Sequence, residues 1–403
     1  MEGWEYAKIG EVFETVTGST PKKSVQEFFG GPYPFVKPPQ LCDDLISQTP
    51  ESLSEAGAQE ARILPPRSIL VSCIGILGKT AIAEIPLACN QQINAIKPNT
   101  DIALPTYVHY FCQSPMFLNQ LDRLASGTTV PIVNKSKFNR INIPLPPLPT
   151  QRRIVAILDE AFAAIDRAIG NVERNLGNVG ELWESYLESV IHSRGDTWRV
   201  ASVGELGVVQ TGSTPRTNDK ANFGNYIPFI KPADFAPDGT LDYSNSGLSE
   251  QGLKGSRLVK AGSVLMVCIG TIGKTGFTEV DVTTNQQINA LTPSGTVLPK
   301  FVYFQMLSRR FQDAVVSQVG QTTLPIINKS KWSKLPIHFP ESINEQQSIV
   351  TDLEFLAARR DQVRFIYESK LDYLHTLKQS LLHQAFTGRL TSEREVEEEM
   401  AGV

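Results

Sequence analysis

The chain has 403 residues, 41% hydrophobic and 20% charged, enough to bury more than one core, and its length sets an expectation of two or three domains. A net charge of −4 argues against a chain that grips nucleic acid through a large basic excess of its own. The start, Met1-Glu-Gly-Trp-Glu, has neither a basic nor an apolar leader, and no apolar run is long enough to span a bilayer, so a cytoplasmic protein with no membrane contact is expected.

The acid is unevenly placed. Residues 1–149 carry −1, 150–195 carry −2, 196–343 carry +3 and 344–403 carry −4, with a run of acids from Glu393 to Glu399. Two near-neutral blocks leave room for local basic faces, but phosphate neutralisation by this chain alone is expected to be modest. Cys42, Cys73, Cys89, Cys112 and Cys268 form no CxxC pair, and Cys73 and Cys268 sit in apolar runs; buried, reduced thiols are expected. The five histidines show no metal-ligand spacing.

From Trp4, WEYAKIGEVFETVTGSTPKK recurs as WRVASVGELGVVQTGSTPRT from Trp198. The register then holds: PFVKP with PFIKP, SILVSCIGILGKT with SVLMVCIGTIGKT, NQQINAIKP with NQQINALTP, and TTVPIVNKSKF with TTLPIINKSKW. A repeat this long is a duplicated domain and not a solenoid unit of about 20–50 residues. Each copy reads as mixed α/β. Ile69 to Ile76 and Val264 to Ile269 have the Val/Ile content of buried strands, Thr106 to Ala125 and Lys300 to Val319 have helical spacing, and the two Gly-Ser-Thr-Pro segments are turns.

Between the copies, after the proline run Ile143 to Thr150, the period becomes helical to about His192. Leu158, Phe162, Ile165, Ile169, Val172, Leu176, Val179, Trp183, Tyr186 and Val190 alternate steps of four and three, a heptad seam. After the second copy, Ile349, Leu353, Leu356, Val363, Tyr367, Leu371, Leu374, Leu377 and Leu381 form a less regular stripe broken by Arg360. A helix of about 42 residues is roughly 60 Å long and alone would expose its stripe, so an antiparallel coiled coil of the two is expected. Each helix folding back on its own domain, or a parallel intermolecular coil, is the alternative. The resulting fold class is α+β, with two tandem mixed α/β domains (1–149 and 196–343), two long helices (150–195 and 344–388) arranged as an antiparallel pair with a pseudo-two-fold, and an acidic tail (389–403).

Catalytic motifs are missing. GILGKT and GTIGKT place Cys73 and Cys268 where a phosphate loop needs its first glycine. KPPQ and LPPR do not match an adenine methyltransferase motif, and the one acidic-x-Lys triplet after a Pro-Asp, Glu368-Ser-Lys370, lies on the second helix, where it reads as a solvated face. A self-sufficient DNA-modifying enzyme with an unrecognised site is the rival reading.

The order of domain, PLPPLPTQRRIVAILDEAF helix, second domain, and EQQSIV…LKQSLLHQAFTGRL helix resembles the specificity subunit of a type I restriction-modification system over essentially the whole chain. It departs where the first helix ends in LESVIHSRGD and where no Glu precedes Gln151. The resemblance implies a non-catalytic subunit whose target recognition domains each read one half of a split site in double-stranded DNA, with the helices setting the gap. It implies two methyltransferase subunits using S-adenosylmethionine and two restriction/translocase subunits using ATP and magnesium; no cofactor is expected on this chain.

Residues identical in both copies are expected to serve fold, phosphate contact or partner docking, and those that differ to read bases. The shared candidates are Thr20, Lys37, Lys79, Thr80, Gln91, Gln92, Asn94, Thr128, Thr129, Lys135 and Lys137, with Thr214, Lys231, Lys274, Thr275, Gln286, Gln287, Asn289, Thr322, Thr323, Lys329 and Lys331. The divergent candidates are Lys22, Lys23, Gln40, Arg216 and Asn218, types that bond phosphates or base edges. The two Asn-Gln-Gln segments either contact DNA or brace the domain, and the Thr-Thr-x-Pro-Ile loops press on DNA or on a methyltransferase subunit.

Overall fold

The structure, a computed structural model, describes residues 4–127, 129–195, 198–236, 238–319 and 324–391. The chain forms two compact units, Met1–Val172 with Ser369–Val403, and Glu173–Glu368. Each therefore takes the start of one long helix and the end of the other, with Asp166 paired to Lys378 in unit 1 and Arg360 over the Trp183 ring in unit 2.

In unit 1 a five-stranded sheet has the order Thr15–Thr17, Ile93–Ile96, Ile69–Ser72, Thr80–Ala83, Leu45–Ile46. Its three inner strands are buried on both faces, which their Ile, Val, Leu and Ala content permits and an alternating polar pattern would not. A smaller sheet joins Ser52–Leu53, Phe29–Val36 and Ala88–Cys89. Glu5–Lys8 pairs with Asn142–Leu145 antiparallel, Glu5 opposite Leu145, and closes the domain where the chain enters the helix. Unit 2 repeats this plan: Gly207–Thr211, Ile288–Pro293, Ser263–Val267 and Thr275–Thr278 in one sheet, Gly247–Leu248, Phe223–Ile230, Val282–Thr284 and Leu258–Val259 in another, and Arg199–Ser202 against Pro336–Phe339.

Each single helix expected from Thr106 and from Lys300 is two helices. Pro105–Gln113 stops at Ser114, whose hydroxyl accepts from the Phe117 N–H and starts Pro115–Leu124; Ser308 does the same for Arg309–Ser317. Apolar spacing continued across the break because the second helix of each pair also buries one face, Phe117 and Leu121 in unit 1 and Phe311 and Val315 in unit 2.

The first long helix, Leu148–Gly195, begins inside the proline run, since Pro149 falls in the first turn where its missing N–H costs nothing. The second is Ile343–Phe386. In unit 1, Leu158, Phe162, Ile165 and Val172 of the expected seam are buried. In unit 2 burial moves to Leu187 and Ile191, while Tyr186 is exposed and Val190 only partly covered. There the helix end joins a domain core containing Trp198, Val203, Phe301 and Trp332 together with Ile349, Val350 and Leu353, so that core rather than a heptad register selects the buried face. Arg360, which interrupts the second stripe, lies over the Trp183 ring at 4.7 Å and so fits an apolar surface. Four cysteines are buried as expected and Cys42 is exposed.

His109 is buried, and burial pulls its pKa down to about 4 against the opposing pull of Asp43 and Asp44. Unfolding returns it to about 6.5, so its contribution is complete above pH 6.5 and is lost as pH falls toward 4. Unit 1 should lose about 2 kcal/mol from this group between pH 6.5 and pH 5. Denaturant titrations at the two pH values should show it, and His109→Gln should flatten the difference; an equal slope in both proteins would exclude this origin.

Candidate nucleic-acid interface

In unit 1, three loops and the strap from Pro131 to Val133 form a row, each joined to the next by backbone hydrogen bonds. The Gly18-Ser-Thr-Pro loop donates from Gly18 N to Ile93 O (3.0 Å) and from Ser19 N to Cys89 O (2.9 Å). Gly18 is required by close approach: a Cβ there would stand 2.2 Å from the Asn90 carbonyl oxygen. The Asn90-Gln-Gln turn follows, with Gln92 O accepting from Cys73 N (2.8 Å). The Cys73-to-Lys79 loop comes next, and Cys73 O accepts from Val133 N (2.9 Å) while Gly75 N donates to Pro131 O (3.0 Å). Unit 2 builds the same row through Gly212 N to Ile288 O, Ser213 N to Thr284 O, Cys268 N to Gln287 O, Ile327 N to Cys268 O and Gly270 N to Pro325 O.

On this frame the expected residues separate into three groups. Lys22, Lys23, Lys79, Thr129 and Lys135 are exposed in unit 1, as are Arg216, Asn218, Lys274, Lys329 and Lys331 in unit 2. Lys135–Phe138 and Lys329–Trp332 are single helical turns capped by Asn134 and Asn328, which hold these lysines beside the row.

A second group is half-committed. Thr20 donates to Gln91 (2.6 Å) and Thr214 to Gln286 (2.5 Å), and Lys137 is partly covered. Gln92 and Gln287 accept from the buried Asn90 and Asn285 amides (2.9 Å each), which ties the first and third residues of each Asn-Gln-Gln segment to one another. Gln40 accepts from Lys37 N (2.9 Å); Lys37 pairs with Glu51 and lies over Phe35, and Lys231 lies over Phe229 at 5.4 Å.

The third group turns inward, into the fold. Thr80 donates to Asp43 (2.7 Å), Asn94 accepts from Thr17 (2.7 Å), Thr275 donates to Gly273 O (2.9 Å) and Asn289 accepts from Thr211 (2.7 Å). All four are nearly or wholly buried, and a side chain so placed reaches no phosphate while the sheet is closed. Identity between copies here reflects a shared frame. Thr128, Thr322 and Thr323 lie outside the described residues.

Sequence reading passed over Arg62 and Arg257. Both are exposed; each guanidinium donates to a backbone carbonyl at the base of the Gly-Ser-Thr-Pro loop, Arg62 to Thr17 O (2.7 Å) and Arg257 to Thr211 O (2.5 Å). Their equivalence in the repeat register was the available signal. The row thus offers ammonium, guanidinium, amide and hydroxyl donors on loops of fixed backbone, the chemistry of phosphate and base-edge contact.

Known proteins resemble this chain over most of its length. A family model described as the type I restriction modification DNA specificity domain matches residues 1–173 and 195–361. The MjaIX specificity subunit of the type I restriction enzyme of Methanocaldococcus jannaschii is 25% identical, with 81% of each chain covered, and the StySPI specificity subunit of Salmonella potsdam is 21% identical over 97% of this chain and 90% of its own. The HindI specificity subunit of Haemophilus influenzae is 32% identical over 40% of this chain and 37% of its own. A chain from a structure of type I R-M complex assembly and conformational transition superposes with a TM-score of 0.78 at 20% identity, covering 97% of this chain and 99% of that one. The HsdS subunit of Thermoanaerobacter tengcongensis gives 0.53 at 20% identity, covering 96% and 98%.

Proposed function

Because the chain belongs to the type I restriction-modification DNA specificity family, we propose that it is the sequence-reading subunit of such a complex, with each unit reading one half of a bipartite, asymmetric target in double-stranded DNA. The observation that carries this reading is that one loop row is built twice, on the same hydrogen-bond frame, with different exposed side chains. Lys79, Lys135, Lys274, Lys329 and Lys331 suit phosphates, which are alike in every sequence. Lys22 and Lys23 against Arg216 and Asn218 suit base edges, which are not.

The chain carries no chemistry of its own in this reading. Two methyltransferase subunits with S-adenosylmethionine modify adenine, and two restriction/translocase subunits with ATP and magnesium complete the complex. The near-neutral domains make tight DNA binding a property of the assembly. Phe355, Phe365 and Ile366 in unit 2 and Tyr373 in unit 1 are exposed on the second long helix, apolar area of the kind a protein partner covers.

The test exchanges residues 1–149 for another recognition domain and reads the methylated motif by single-molecule sequencing of host DNA. One half of the motif changes and the other stays. A motif altered in both halves, or in neither while the complex remains active, overturns the reading.

A further inference from the structure

The glycine-rich loop that fails as a phosphate loop has a use in both units. In unit 1, Gly75 and Gly78 take left-handed φ of 80° and 82°, and between them Ile76 stands out at 68% exposure. The loop is stiff. Gly75 N donates to Pro131 O, Gly78 N donates to Ser72 O (3.0 Å), and the buried Ser72 hydroxyl donates to the Ile76 carbonyl (2.7 Å). Val130 and Ile132, exposed on the adjoining strap, extend the apolar tip, and exposed Lys79 and Lys135 flank it.

Holding an isoleucine in water on a rigid loop gains nothing for the fold, since the side chain is covered in neither the folded nor the unfolded chain. In unit 2 the backbone frame recurs, although Val267 stands where Ser72 does: Gly270 and Gly273 have φ of 83° and 91°, Gly270 N donates to Pro325 O, Gly273 N donates to Val267 O (3.0 Å), and Lys274 and Lys329 are exposed beside it. The residue at the tip is instead Thr271, also exposed. Shared lysines around an unshared tip fit a ligand whose charged backbone is uniform and whose edges vary. A protein partner present as two equal copies would meet the same tip twice.

We propose that this loop reads a base edge, Ile76 packing on a thymine C5-methyl in the major groove of the half-site bound by unit 1, and Thr271 occupying the same place on the other half-site. This rests on the DNA-reading function above.

The experiment uses the assembled complex with its methyltransferase subunits. Ile76→Thr copies a tip the second unit already carries on the same backbone frame, and the exposed side chain takes no part in the core, so folding is retained. The methylome of a host expressing it should lose discrimination at one position of one half-site by roughly fivefold to tenfold, the other half being unchanged. Replacing each thymine of that half-site in turn by deoxyuridine removes only the methyl group. One replacement should weaken the parent complex by a similar factor and the Ile76→Thr complex, which keeps a single methyl group there, by less. An unchanged motif, equal sensitivity of both complexes to every replacement, or a half-site with no thymine on either strand overturns the proposal. If the domain exchange still alters one half of the motif, the reading function stands and only the assignment of this loop falls; if it alters neither half, both fall.

Discussion

Gln151→Leu should lower the unfolding temperature of unit 1 by on the order of 10 °C. Gln151 is wholly buried at the first turns of the long helix, and its amide is fully used: Oε1 accepts from Leu104 N (3.0 Å), and Nε2 donates to Ile102 O (3.0 Å) and Pro146 O (2.9 Å). Leucine matches the volume but leaves one N–H and two carbonyls buried without partners, each a loss of about 1–3 kcal/mol. Unit 2 has the same lock in Gln346, which accepts from Leu298 N (2.8 Å) and donates to Thr296 O (3.1 Å) and Pro340 O (2.8 Å). Gln346→Leu should therefore shift unit 2 by a like amount and spare unit 1. Scanning calorimetry with hydrogen exchange assigns each transition to its unit; a Gln151→Leu protein melting with the parent would show that the amide locks nothing.

Phe386→Ala is expected to destabilise unit 1 by about 3–5 kcal/mol, although residue 386 follows the whole second domain. Its ring is fully buried, with centroid distances of 5.2 Å to Tyr107 and 5.4 Å to Phe111, and the aromatic chain continues from Phe111 to Phe117 (5.5 Å) and Phe117 to Phe138 (6.1 Å). Alanine leaves a void the sheet and helices cannot close without shifting these rings. Peptides from residues 4–172 should lose exchange protection while those from 198–368 keep theirs. Equal loss in both units, or none, would contradict a local role for the ring.

Both predictions concern features the one-dimensional pattern held only in part. The Gln151 and Gln346 segments stood out as family signatures, yet nothing in their spacing showed that the amides bind the domain that precedes them. Leu382 to Phe386 had the same standing; the ring contacts of Phe386 reach a helix that precedes the first spacer. The polar residues shared by the two copies divided only in three dimensions: Thr80 faces inward and its neighbour Lys79 outward, because the strand starts at Thr80 and the left-handed Gly78 turns the chain just before it.

Duplication, the two long helices, the strand-rich character of each copy and the absence of a phosphate loop were all legible along the chain, because they depend on local spacing and on comparing one half with the other. Where the helices break, which face of each long helix is buried, and which of the paired lysines, glutamines and asparagines remain at the surface were decided by packing between segments far apart in sequence. Periodicity measures how a residue is repeated; burial depends on what stands opposite it. The loop tips at Ile76 and Thr271 show the same division, since the glycines that turn the chain are written locally but the exposure of what lies between them follows from the strap that anchors each loop.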